Sequence, residues 1–196
     1  LQAAALWLCS TMLGPDSLFA HRGLHDEANP RNSLAAITAA AAAGYGVEFD
    51  VRLSADGVPV ISHDPDTLHD TGEFHIVESA SAAQLCSLHF TGTGHALATL
   101  DDVLRSVAPT VPLLIEIKPT RRIREIVEAV TQRCARRTNS VAIQSFHPWI
   151  VRTAKNRGFP VGQLVEQQTL DMSVARRLQS RTIASNIIVR PDFMAI

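Results

Sequence analysis

Seven short β-rich runs punctuate this chain, and most are separated by stretches with helical character. The runs fall at 17–22, 46–53, 58–63, 112–118, 140–146, 161–165 and 191–196. Helical patterns lie near 33–43, 80–88, 99–107, 120–137, 148–157 and 169–180. Strands that alternate with helices predict a parallel β/α architecture. Several helices carry start signals. Asn32 and Ser33 can cap the Ala-rich helix, Thr99 places Asp101 and Asp102 in a first turn, and Pro148 suits the first helical position. No Ser/Gly/Pro-rich linker or fixed-period repeat divides the chain, which predicts a single domain over residues 1–196. Residues 1–16 read as an N-terminal helix covering one end of it.

One stretch departs from strict alternation. Runs 46–53 and 58–63 are joined by Ala55-Asp56-Gly57. Asp-Gly between two strand-like runs is a hairpin signal, and the link is too short for a crossover helix. Two readings stay open: a hairpin, or an extended return of the chain into the next barrel strand.

Composition narrows the function. The formal net charge of -1 argues against a nucleic-acid binder, which needs a basic face. The longest apolar run without charge, 33–47, is Ala-rich, broken by Gly44 and Gly46, and too short to span a bilayer, so no transmembrane segment is expected. Cys9, Cys86 and Cys134 are odd in number and form no CxxC pair. That usage suits reduced thiols in the cytoplasm.

The informative residues are ionisable groups at strand ends. Strand side chains alternate faces, so Glu48 and Asp50 share one face while Val47, Phe49 and Val51 share the other. Glu116 and Lys118 likewise oppose Ile115 and Ile117, and His21 and His63 lie near the ends of their own runs. In parallel β/α folds the C-terminal strand edge carries the site. Each carboxylate taken alone can simply pair with a nearby Arg or Lys. Three inward carboxylates repel one another and are costly to bury. A divalent cation resolves that, and all-oxygen ligation suits Mg²⁺ or Ca²⁺ better than zinc. His21 and His63 are suited to acid–base work, and Arg22 and Lys118 to holding a phosphate. Gly23 permits close backbone approach to a ligand. His69, His75, His89 and His95 fall in a polar, irregular stretch and read as structural or solvated.

The ordered pieces His21-Arg22-Gly23, Asn29-Pro30-Arg31-Asn32-Ser33, Glu48-x-Asp50-Val51, Asp56-Gly57-Val58-Pro59-Val60, His63-Asp64, Glu116-Ile117-Lys118 and Ser145-Phe146 resemble the glycerophosphodiester phosphodiesterase family. The resemblance implies a TIM-type (β/α)8 barrel of the phospholipase-C-like phosphodiesterase kind. It implies metal-dependent hydrolysis of a small-molecule glycerophosphodiester to sn-glycerol 3-phosphate and an alcohol. By position, Glu48, Asp50 and Glu116 resemble the family's ligands for one divalent metal ion, His21 and His63 its acid–base pair, and Arg22 and Lys118 its phosphate-binding residues. Which histidine is acid and which is base stays open. So do two other readings: an inert phosphate- or headgroup-binding barrel, and a related phosphodiesterase acting on lysophospholipid, sphingolipid or sugar-phosphate diesters.

Two departures stand out. Arg31 occupies a place where the family pattern has Glu, beside the expected site or at a solvated helix start. The family's last strand and helix have no counterpart, and 196 residues fall short of the roughly 250 typical of this barrel. The expectation is therefore a barrel lacking its last β/α unit, with three explanations: a truncated C-terminus, completion in trans by a partner chain of a homo-oligomer, or an open barrel.

Overall fold

The structure is a computed structural model that describes residues 18–165 and 189–195. Its frame is a curled parallel sheet of six strands: β1 (Phe19–His21), β2 (Gly46–Leu53), β4 (Leu113–Ile117), β5 (Val141–Ser145), β6 (Val161–Leu164) and β7 (Phe193–Ala195), adjacent in that order. A seventh strand, β3 (Pro59–Ile61), pairs antiparallel with the end of β2, Val51 opposite Ile61. The Asp56-Gly57 link is thus a hairpin, and Gly57 takes the left-handed conformation (φ +80°) that such a turn needs. With that run spent on the hairpin, the described residues supply six parallel barrel strands, one fewer than the seven β-rich runs suggest.

The helices are α1 (Leu34–Ala42), α2 (Leu68–Thr71), α3 (Ala82–Cys86), α4 (Leu100–Ser106), α5 (Ile123–Cys134) and α6 (Pro148–Lys155). Ser33, not Asn32, caps α1, accepting from the Ala36 N–H. Thr99 and Asp102 form a reciprocal capping box on α4, which satisfies two otherwise orphaned N–H groups. Pro148 opens α6 as expected. α5 is shorter than its sequence pattern and passes at Ala135 into a 3-10 turn. α2 was not foreseen: it spans one turn, buries no residue and so leaves no apolar period to read. The expected helices at 1–16 and 169–180 lie outside the described residues. Among those described, no helix is long and apolar enough to cross a membrane.

Strand alternation sorts the core into two layers. Val47, Phe49, Val51, Leu113, Ile115, Ile117, Val141 and Ile143 face outward into one apolar cluster with Ile37, Leu100, Val103, Ile126, Val130 and Ile150 from the helices. Each such side chain contributes about 1.5–3 kcal/mol on burial. The other parity faces the concave side. There Phe19, Leu114 and Ala142 form an apolar floor, against which Phe193 packs. Two glycines make room for the rings. A Cβ on Gly46 would sit 2.7 Å from the Phe19 ring, and one on Gly162 would sit 2.1 Å from that of Phe193.

Gly46→Ala is therefore expected to destabilise the protein by about 1–3 kcal/mol, as overpacking does. Gly94→Ala, where the added carbon meets nothing within 4 Å, should stay within about 0.5 kcal/mol of the parent. Urea denaturation of the two variants checks both values.

Candidate active site

The inward parity that lays the floor also lifts the charged residues above it. Register places His21 level with Glu48, and Asp50 level with Glu116. Glu48, Asp50 and Glu116 each bring a carboxylate oxygen within 4.8 Å of the other two. They are almost fully buried, at 1%, 0% and 6% exposure. The structure thus brings together the three carboxylates singled out by strand parity.

What compensates them is asymmetric. Lys118, one residue past the end of β4, sets Nζ 2.6 Å from Glu116 Oε1 and 2.8 Å from Asp50 Oδ1. Arg22 Nε lies 3.2 Å from Asp50 Oδ2, and Asn32 Nδ2 donates to the same oxygen at 2.8 Å. The Asp50 backbone N–H in turn donates to Asn32 Oδ1. Among the described residues, Glu48 accepts only the Arg22 backbone N–H at 3.0 Å and a long contact from Gln144 Nε2 at 3.4 Å. His21 Nε2 stands 3.8 Å from it.

The titration behaviour follows from that asymmetry. Burial, with the charges of Asp50 and Glu116, pushes Glu48 up to about 8. Burial and Asp50 also raise Glu116, against the pull of Lys118. Burial would raise Asp50 as well, but Lys118, Asn32 and Arg22 outweigh it and hold that carboxyl below its ordinary value. One lysine and one arginine thus ionise Asp50 and leave Glu48 short of positive charge.

That shortage tests whether a cation fits. Among the described residues, the buried Asp50 Oδ1 has no aligned hydrogen-bond donor, despite the nearby ammonium. Three converging carboxylates, one unsatisfied oxygen and an under-compensated glutamate suit a hard divalent cation with oxygen ligands. The residues present fit the group.

The β1–α1 loop closes over the triad under strain. Arg22 has φ +59° and Gly23 φ +81°. A Cβ on Gly23 would lie 2.5 Å from the backbone of Ala36, so only glycine lets the loop seat against α1. Asn32 also has positive φ, which asparagine tolerates, and its N–H donates to the Arg22 carbonyl. A left-handed arginine costs of order 1 kcal/mol and persists where its surroundings enforce it. Here it turns the Arg22 N–H onto Glu48 and its guanidinium toward Asp50.

His63 lies past β3, in the turn that follows it. The backbone ties it down: the Ser62 N–H donates to the Asp50 carbonyl, and Arg52 Nε donates to the His63 carbonyl at 3.0 Å. Its Nδ1 is 2.7 Å from Asp64 Oδ1. Burial first, then the positive charge of Lys118, lowers its pKa, and burial with Arg22 lowers that of His21.

Sequence reading singled out neither Asn32 as a partner of Asp50, nor Arg52, nor Gln144. Gln144 was legible in principle, since it is the inward residue level with Glu116. Ser145 is structural: its hydroxyl donates to the Ile117 carbonyl at 2.6 Å and joins β5 to the end of β4. Arg31 is not simply solvated, for it meets Asp64 and Asp70 at the rim.

Similarity to known proteins agrees with this architecture. A curated relative, "Probable glycerophosphodiester phosphodiesterase 2" of Mycobacterium tuberculosis, is 34% identical over 128 residues, 65% of this chain and 47% of that protein. The chain thus spans about half the length of this relative. A glycerophosphodiester phosphodiesterase of Thermotoga maritima superposes with TM-score 0.67 at 29% identity, over 87% of this chain and 69% of its own. A phosphodiesterase of Oleispira antarctica shares the fold, with TM-score 0.69 at 24% identity over 84% of this chain and 71% of its own. The model of the glycerophosphoryl diester phosphodiesterase family matches residues 21–187, and the chain belongs to that family.

Proposed function

We propose that the protein hydrolyses glycerophosphodiesters to sn-glycerol 3-phosphate and an alcohol, with one divalent cation held by Glu48, Asp50 and Glu116. The observation that carries this reading is the convergence of three buried carboxylates beside two histidines and two cations at the loop end of a parallel sheet. Family membership supports the reaction class. The Oleispira phosphodiesterase was solved with the product sn-glycerol 3-phosphate. The all-oxygen donor set favours Mg²⁺ or Ca²⁺.

When bound, such a cation supplies Lewis acidity toward a phosphoryl oxygen and lowers the pKa of an attacking hydroxyl. Lys118 and Arg22 supply positive charge where negative charge gathers on the phosphoryl oxygens. His21 and His63 are both shifted below the ordinary histidine value by burial and neighbouring positive charge, which suits them to proton exchange. One, as neutral imidazole, takes the proton of the attacking hydroxyl, and the other, as imidazolium, gives its proton to the departing alkoxide. Cysteine usage, three residues with no CxxC pair, supports a cytoplasmic setting. The main apolar cluster runs from Ala20 to Val189, which supports a single domain.

Release of sn-glycerol 3-phosphate from glycerophosphocholine and glycerophosphoethanolamine, with Mg²⁺ or Ca²⁺, is the direct assay. EDTA should abolish it. Folded protein that yields no EDTA-sensitive product from any glycerophosphodiester overturns the proposal. His21→Ala and His63→Ala are each expected to lower kcat by about 10²–10⁴-fold.

The pH dependence of stability gives a second check. Glu48 is raised in the fold from its ordinary 4.5 to about 8, so ionising it opposes folding. Its contribution is complete below the unfolded value and is lost as pH climbs through the folded one. In EDTA, Tm should decline between pH 4.5 and about 8. Added Mg²⁺ or Ca²⁺ should raise it most at the upper end, because the bound form needs the ionised carboxylate. Glu48→Gln should flatten the decline and abolish the metal-induced rise.

A further inference from the structure

Between Arg52 and Arg105 the chain carries eight Asp and Glu residues and neither lysine nor arginine. Cations that fasten this acidic stretch reach it from other elements. Arg52 holds the His63 carbonyl and Arg122 the Ser54 carbonyl, through backbone oxygens. Arg31, from the loop before α1, meets carboxylates. Its Nη2 lies 3.7 Å from Asp64 Oδ2 and 3.5 Å from Asp70 Oδ1, and 3.2 Å from His69 Nδ1.

Asp64 has its other oxygen on His63. Oδ1 is 2.7 Å from Nδ1 of that ring, while Oδ2 faces Arg31. The imidazole tautomer that can donate to this carboxylate carries its proton on Nδ1, leaving Nε2 with the lone pair. Arg31 also sits between Asp64 and Asp70. Removing its charge leaves two carboxylates of one acidic stretch without a shared cation, and frees Asp64 to turn away from the ring.

We propose that Arg31 is a positioning residue for His63, acting through Asp64 to fix the ring's tautomer and orientation and to hold the 64–70 stretch at the rim of the site. The catalytic part of this inference rests on the hydrolytic function proposed above. The positional part does not. The contribution to folding is small, because half-exposed ion pairs of this kind give about 0–1 kcal/mol. Loss of the partner that orients a reacting group costs activity on the order of 10-fold or more.

The test uses Arg31→Ala, Arg31→Glu and Arg31→Lys in the full chain. Two readouts are taken: multiple-bond ¹H–¹⁵N spectra of the His63 imidazole, and steady-state kinetics with glycerophosphodiesters. In the parent, His63 should show the Nδ1–H tautomer. Arg31→Ala should lose part of that population and lower kcat on the order of 10-fold, with KM little changed and Tm nearly that of the parent. Arg31→Glu, which places a third carboxylate beside Asp64 and Asp70, should lose more on both readouts. Arg31→Lys should recover most of both. Parent-like His63 signals in the Ala and Glu variants overturn the inference, as does an effect confined to KM, which would mark Arg31 as a substrate contact. If the parent proves inactive, the imidazole spectra still decide the positional claim, so the two failures are distinguishable.

Discussion

Holding three buried carboxylates together is the constraint around which this molecule is arranged. At separations near 4.8 Å, each ionised pair repels by roughly 3–4 kcal/mol at an effective dielectric of about 20. A single lysine bridges two of the three, and the third is left to a backbone N–H and a distant amide. The opposite face of the same strands offsets that cost. Val47, Phe49 and Val51 on β2, with Leu113, Ile115 and Ile117 on β4, are wholly buried against the helices. The period-two alternation of a strand therefore couples a dry, apolar exterior layer to a charged interior one. Neither layer is free to slip, because a one-residue shift would exchange them.

The loops complete what the sheet begins. The strained Arg22-Gly23 turn and the left-handed Asn32 close on each other, so the backbone of one loop delivers a donor to Glu48 and a side-chain amide to Asp50. The β2–β3 hairpin does the same from the other side. Its antiparallel pairing brings the chain back beside Asp50 before His63 is reached, and the Ser62 N–H binds the Asp50 carbonyl. Both histidines thus stand one residue from a group that meets the same aspartate, Arg22 beside His21 and Ser62 beside His63.

Much of this was legible in the residues. Parity put Glu48 and Asp50 on one face of their strand and Glu116 with Lys118 on one face of theirs, and the parallel pairing of β2 with β4 joins the two. The hairpin was not decidable locally, since its alternative differs only in which strand pairs with the far edge of β2. That pairing involves β4, about sixty positions away along the chain. Asn32 and Ser33 both fit a helix cap by type and place. The neighbouring serine takes the cap, and the asparagine reaches across 18 positions to Asp50. Arg31 was ambiguous for a related reason: the direction of a long side chain at a loop depends on acids that the fold, not the sequence interval, places nearby.

The apolar floor gives the carboxylate cluster one side without polar groups. Phe19, Leu114 and Ala142 are essentially inaccessible, and Phe193 packs onto them. Among the described residues, the side of the carboxylates toward the floor is packed with carbon, and the polar groups that meet them come from the strand ends and the loops beyond. A change in either loop therefore reaches the charged cluster directly, whereas a change beneath the floor reaches it only by moving the strands.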